Sequence, residues 1–407
     1  MFTFIVQLMD LAVWGKVQFF LLFFTLTWSV YLFKLAKSRQ FRPPPVLPST
    51  HGVSVIVPVV DEKPQVWQEV LACLKESCRD LPHQIIIVSN GRAGIANGDY
   101  ARSKGFEVLH LEQADKRLAI AAGADRARHE IAVILDSDTR TGPDSIRILR
   151  DTFTSDDIGG VTPLQKINDR GPLMRRVSDW LEDLRFSIVV SSQSVAGAVS
   201  CLPGRLFAVR THLLQAAVPE LVSESFLGMR CVHGDDRTLT SWLLKNGYKT
   251  VFQPASVVLT EAPSTLRMFA AQRLRWARGS LRGTLMSLRW LFRYPYMAFT
   301  VLTDWLLRWF FLGIFLEGVL TWGRLLPTHH YLWNLLPQYH STGPILVAAV
   351  AGFFVSGFLR QLYHLVRFPQ DLPYLPVFLL LTTFVLTPVK WYGDLTCWRN
   401  EWLTRRS

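Results

Sequence analysis

Cysteine is scarce and unpatterned in this chain. Five are present, Cys73, Cys78, Cys201, Cys231 and Cys397, with no CxxC and no Cys/His metal spacing. An odd, dispersed set argues against a disulfide framework or a zinc site, and reduced thiols are expected. Internal repeats and low-complexity stretches are also missing, which leaves an ordinary globular domain with membrane segments. The basic residues form no free tail and no stripe interleaved with aromatics, so nucleic acid is not an expected partner. No basic n-region precedes the first apolar segment and no small-residue cleavage pattern follows it. The segment therefore reads as an anchor and not as a cleaved signal.

What is abundant is apolar. Of 407 residues, 49% are hydrophobic, with 14 Trp and 26 Phe. The excess sits at the two ends, while the middle reads as soluble. Residues 17–33 form an uncharged run followed by Lys34, Lys37, Arg39 and Arg42. That bias places the next domain in the cytosol and explains much of the +12 net charge. Pro43, Pro44 and Pro45 make a stiff linker. Residues 297–321 and 344–366 are further spans, the first carrying Asp304, Arg308 and Glu317, which should face protein or a polar channel. A structural salt bridge is the plainer account of those charges. Residues 373–389 contain three prolines. The loop at 322–343 carries only Arg324, whereas the tail carries Lys390, Arg399, Arg405 and Arg406. An inside tail makes 373–389 re-entrant or interfacial. The alternating basic and apolar residues of 280–295 read as an interfacial helix. The expected organisation is 1–42 anchor and basic flank, 43–279 cytosolic domain, 280–296 interfacial helix, 297–372 two spans, and 373–407 re-entrant segment with cytosolic tail.

In the middle, apolar runs at 53–59, 84–88, 105–109 and 131–135 alternate with helical stretches at 65–77 and 116–127. This pattern predicts an α/β domain with a parallel sheet. Ligands of such sheets bind at the carboxyl ends of the strands. Asp136-Ser137-Asp138 lies there, directly after the run ending at Leu135. Two carboxylates at that edge suit a Mg²⁺ or Mn²⁺ ion carrying a diphosphate, with Asp138 as direct ligand and Asp136 on the metal or a ribose. Gly234-Asp235-Asp236-Arg237 opens a helix. The acids serve as a favourable helix start, as a general base at Asp236, or as both, since the roles are compatible. On a later helical stretch Gln272, Arg275 and Trp276 share a face. Gln272 and Arg275 suit a diphosphate, and Trp276 suits stacking of an acceptor sugar. Each residue alone also fits an ordinary amphipathic helix.

Taken in order, Asp-Ser-Asp, GMRCVHGDDR (228–237), Thr260-Glu261-Ala262-Pro263 and Gln272-Arg273-Leu274-Arg275-Trp276 resemble the processive family-2 glycosyltransferases, and the later blocks look like the hyaluronan and chitin synthase group. The resemblance covers about residues 50–406 and is most specific at 228–276. It implies a GT-A fold, Rossmann-like and cytosolic, with membrane helices forming a polymer channel, a UDP-sugar donor and a growing β-linked polysaccharide as acceptor. By the same resemblance, Asp115-Lys116-Arg117 places Lys116 on the donor pyrophosphate. Cys201-Leu202-Pro203-Gly204-Arg205 becomes the acceptor-side loop, and Trp402-Leu403-Thr404-Arg405 a cytosolic tail motif. Asn90 stands where an aspartate usually meets the nucleobase. The single N-terminal span is similar to the Nod-factor chitooligosaccharide synthases. Ceramide glucosyltransferase, which moves one sugar to a lipid, is similar to the same plan. An inactive membrane scaffold is disfavoured by the intact acids.

Overall fold

The computed structural model describes residues 22–322 and 342–399. It leaves out the side chains of 317–322 and 342–350. Part of the 17–33 run, Glu317, the 323–341 loop with Arg324, and the Trp402–Arg405 motif lie outside the described residues or side chains. The chain divides into two compact units, Lys37–Met297 with the stretch from Tyr392, and Ala298–Trp391 with the stretch up to Ala36.

An eight-stranded sheet organises the larger unit. Its strands are β1 (Val53–Val59), β2 (His83–Asn90), β3 (Glu107–Leu111), β4 (Ile131–Leu135), β5 (Thr139–Thr141), β6 (Ile158–Ile167), β7 (Leu206–Arg210) and β10 (Lys249–Thr260). A separate hairpin pairs β8 (Ser225–Phe226) with β9 (Met229–Arg230). The sheet order is β3-β2-β1-β4-β7-β6-β10-β5. The first four strands are parallel, as the alternating pattern predicts. The rest is mixed: β7 runs antiparallel to both β4 and β6, and β5 antiparallel to β10.

Every residue of β1 and β4 is buried, because helices cover both faces and continuous apolar runs are then required. On one face Val55 and Val57 pack with Trp67, Val70 and Leu74 of the Pro64–Ser77 helix and with Ile146 and Leu149. On the other, Ile56, Ile86 and Ile134 pack with Ala119 and Ile120 of the Lys116–Arg126 helix and with Leu213, Leu239 and Leu243. The two cores fix the helices whose first turns carry Lys116 and the paired acids.

Residues 266–291 form one uninterrupted helix, Leu266–Leu291. The Gln-x-x-Arg-Trp motif and most of the stretch read as a separate interfacial helix thus share one rod, since Gly279 and Gly283 do not break it. Helix Pro295–Trp322 follows.

Among the described residues two helical runs, Pro295–Leu316 and Pro369–Asp394, lie mainly in the smaller unit and are long and apolar enough to cross a membrane. The second includes the 373–389 segment, with Pro373 in a short 3-10 stretch and Pro376 and Pro388 in the first turns of helices Leu375–Leu381 and Thr387–Asp394. Asp304 meets Lys34, Nζ to Oδ1 2.5 Å, as the salt-bridge account of its charge has it. The Trp391 indole N–H donates to the Arg308 carbonyl at 3.0 Å.

Candidate active site

Asp115 starts the site from the helix side. Its carboxylate accepts from the backbone N–H groups of Arg117 (2.8 Å) and Leu118 (3.2 Å), capping the Lys116–Arg126 helix. Lys116 is thereby set at the first helical position, pointing its ammonium at two acids from distant segments. Lys116 Nζ lies 2.8 Å from Asp136 Oδ1 and 3.0 Å from Asp235 Oδ2. Burial alone would lower the Lys116 pKa, but the two carboxylates outweigh it and raise it above the ordinary lysine value. Burial would likewise raise Asp235, and Lys116 overcomes it, holding the carboxyl below its usual range. Lys116 and Asp235 are both charged at neutral pH.

The neighbouring Arg117 explains why these segments meet. Its fully buried guanidinium donates to the Leu221 carbonyl (2.7 Å), Glu224 Oε2 (2.8 Å), the His233 carbonyl (3.0 Å) and Thr238 Oγ1 (3.1 Å). One side chain thus joins the Asp115–Arg117 turn to both flanks of the acidic pair. Gly234, at φ +87°, supplies the left-handed residue before the Asp235–Lys245 helix. Glycine adopts that conformation without the penalty of a Cβ. Gly234 is the cap position, and neither acid caps the helix in the usual way. Asp235 turns to Lys116 instead.

Asp236 has a different environment. Its Oδ2 accepts from the Gly204 backbone N–H at 3.0 Å and lies 3.6 Å from Cys201 Sγ, while Oδ1 accepts from the Arg237 N–H at 2.8 Å. Burial and the nearby Asp236 push the Cys201 thiol up to about 12, so it stays an S–H donor. Two carboxylates side by side in sequence are therefore split, one neutralised by an ammonium and one held by N–H and S–H donors.

Asp136 leaves β4 with its backbone N–H donating to the Arg205 carbonyl at 2.9 Å. Asp138 sits in the following turn, with the Thr139 hydroxyl donating to its Oδ1 at 3.3 Å. Arg205 carries its guanidinium over Trp276, 5.5 Å from the ring centroid. Arg273, one helical turn before Trp276, lies 4.5 Å from the same centroid. The Trp276 ring expected to stack sugar thus already faces two cations. Gln272 Oε1 is buried without a hydrogen-bond partner. Glu261, of the Thr260–Pro263 motif, ties Arg140 of β5 (2.9 Å) to Arg175 (3.6 Å) and acts as a brace.

The structure therefore joins Lys116, Asp136, Asp235, Asp236, Gly204, Arg205 and Trp276 through direct contacts. Asn90 lies apart, at the end of β2, two strands from β4. Its side-chain amide donates to the Val88 carbonyl at 3.3 Å, and its Oδ1 is buried without a partner. Sequence reading missed Glu182, Arg185 and Arg273. Glu182 and Arg185 lie one turn apart, and that i,i+3 pair of opposite charges is the sequence signal that marks them.

Comparison with known proteins places this geometry. Residues 131–387 match the family described as Glycosyl transferase family group 2. The chain belongs to that family. It is a glycosyltransferase, and it is 24% identical over 387 residues to a hyaluronan synthase of Streptococcus pyogenes, covering 92% of this chain and 88% of that one. An N-acetylglucosaminyltransferase of Azorhizobium caulinodans is 27% identical over 383 residues, 89% of each. Among solved structures, the mannosyltransferase PcManGT from Pyrobaculum calidifontis, in complex with GDP-Man and Mn²⁺, superposes with a TM-score of 0.63 at 17% identity, covering 95% of this chain and 99% of that one. The mixed α/β sheet and this structural likeness are those of a GT-A-like fold, as the resemblance implies.

Proposed function

We propose that this glycosyltransferase is an inverting, metal-dependent polysaccharide synthase. It moves sugar from a UDP-sugar onto a growing β-linked polymer, hyaluronan- or chitin-like, and exports the product through its own membrane segments. The observation that carries the reading is the divided acid pair: Asp235 is bound to Lys116 at 3.0 Å, and Asp236 is held at 2.8–3.0 Å by backbone N–H groups.

Asp136 and Asp138 offer oxygen donors only, which fits Mg²⁺ or Mn²⁺ shared with substrate phosphates. When bound, that cation neutralises the leaving diphosphate. The mannosyltransferase of like fold, itself in complex with GDP-Man and Mn²⁺, supports the use of a divalent cation. Lys116, Gln272 and Arg275 hold the diphosphate, with Lys116 moving from Asp136 and Asp235 towards the phosphates. Asn90 reads the nucleobase. Asp236 accepts the proton of the acceptor hydroxyl as its oxygen attacks the anomeric carbon. The Gly204 and Arg237 N–H groups fix the orientation of its carboxylate. One displacement inverts the centre. Gly204, Arg205 and Trp276 form the acceptor side. The basic flank at Lys34–Arg42 supports a cytosolic catalytic unit on a multi-pass plasma (inner) membrane protein.

The test is purified protein in nanodiscs with Mg²⁺ or Mn²⁺ and UDP-sugars, singly and in pairs, reading UDP release and product size. High-molecular-weight product from one donor makes it a homopolymer synthase, and a strict need for two donors a copolymer synthase. A monoglycosylated lipid as sole product would replace this reading with single transfer to a lipid.

A further inference from the structure

Three arginines from three distant segments surround one acid beside Trp276. Glu182 lies on the Leu173–Leu184 helix, and Arg185 one turn further on. Glu182 Oε2 is 3.4 Å from Arg185 Nη1, and its Oε1 is 3.5 Å from Arg205 Nη2 and 3.8 Å from Arg273 Nη1. The Glu182 side chain is 1% exposed, those of Arg205 and Arg273 11%. Asp236 also acts on Arg185, whose side chain is 31% exposed, so three cations meet two acids and positive charge remains in excess.

The contacts are also incomplete. Arg205 gains only a long bond to Gln165 Oε1, 3.4 Å. Arg273 Nε and Nη2 are buried with no hydrogen-bond partner. Its guanidinium rests on the rings of Phe269 and Trp276, at 5.1 and 4.5 Å, which accept no strong hydrogen bond. Burial and the two neighbouring arginines pull Arg273 down to about 10, against the single opposing pull of Glu182. It remains cationic at pH 7. Buried donors in native proteins almost always have acceptors, and a buried charge left uncompensated is costly. Arg205 follows Gly204, whose N–H holds Asp236, so the excess charge borders the proposed base.

We infer that Arg185, Arg205 and Arg273 form a subsite for an anionic group, a carboxylate or a phosphate, on the acceptor saccharide. The inference rests on the acceptor side of the proposed function and names its substrate class. Trp276 lies beside the cations to take the sugar ring, Arg273 supplies its two unused N–H donors, and Glu182 keeps the three guanidiniums from driving one another apart. A neutral acceptor leaves those donors unmet.

The experiment is acceptor binding without donor, by saturation-transfer NMR on full-length protein in nanodiscs. Three tetrasaccharides are compared: one ended by a uronate, its carboxyl-reduced counterpart, and one ended by a hexose phosphate. At least one anionic ligand should bind about tenfold tighter than the neutral one, as expected for charge-assisted bonds, and whichever binds tighter identifies the group. The preference should shrink as salt rises from about 0.05 to about 1 M. Arg273→Gln should cut it to about threefold or less while Mn²⁺-dependent UDP binding is kept, and Arg273→Lys should retain part of it. Equal binding of all three ligands by the wild-type protein, or no binding, overturns the subsite. So does an Arg273→Gln protein that weakens all three equally, the mark of a structural role. UDP release with the donor panel is read separately. If no donor is turned over yet the anion preference persists, the transfer reading fails and the subsite stands.

Discussion

Replacing Lys116 by methionine removes the one cation shared by Asp136 and Asp235. At 2.8 and 3.0 Å, each pair carries a raw attraction of about 6 kcal/mol at an effective dielectric of about 20. Desolvation opposes most of this. The side chains also keep some water, at 20% exposure for Lys116, 31% for Asp136 and 11% for Asp235. A net loss of about 2–3 kcal/mol is therefore expected at neutral pH, or about 4–10 °C in Tm for a domain of this size. The pH dependence has a definite sign. Asp235 is held below its ordinary value, so its contribution exists above the unfolded pKa of about 4 and fades as pH falls through the folded value. Lys116 is raised, so its contribution is complete below about pH 10 and is lost only as pH climbs through the folded value. The gap between wild type and Lys116→Met should stay flat from about pH 5 to 9 and narrow in acid. Thermal unfolding in nanodiscs at neutral and acid pH measures it. An equal or wider gap in acid, or no gap at neutral pH, would refute the bridging role.

Three further outcomes follow from the same site. Asp138→Asn and Asp236→Asn should each abolish transfer, but only the first should weaken metal-dependent UDP binding; equal loss in both would undo the division of roles. Arg117→Met strands the acceptors of Leu221, Glu224, His233 and Thr238 and should cost about 3–5 kcal/mol, read as Tm together with a lost Lys116 effect in the double variant. Gly234→Ala forces a side chain to φ +87°, at about 1–2 kcal/mol, and should lower transfer more than UDP binding when both are titrated.

Much of the catalytic half was legible because local signals and topology agree there. The run at 53–59 and the run at 131–135 form strands over those same residues, since both are continuous apolar segments. Asp136 then falls at the sheet's carboxyl edge by the geometry of parallel strands. The antiparallel β7 was not readable, because Leu206–Arg210 differs in no local property from a parallel strand. Nor was the β8–β9 hairpin, whose two-residue strands carry no periodicity. The Gln-x-x-Arg-Trp residues were readable as a face, but Arg273 gave no sign of its role. Its partners Glu182 and Arg205 are brought near only by the fold, 91 and 68 residues away in sequence.

Arg117 has a consequence for how such a chain diversifies. Glu224 and His233 both end on its guanidinium, and the segment between them, with Leu227 at its exposed tip, is a loop closed at its base. Lengthening a loop so closed costs only about 0.6 kcal/mol per doubling. Arg230 in the same segment holds Asp115 at 2.8 Å, so the open part is the exposed tip at Leu227 and Gly228. New sequence grafted at that tip should leave Asp235 and Asp236 in register.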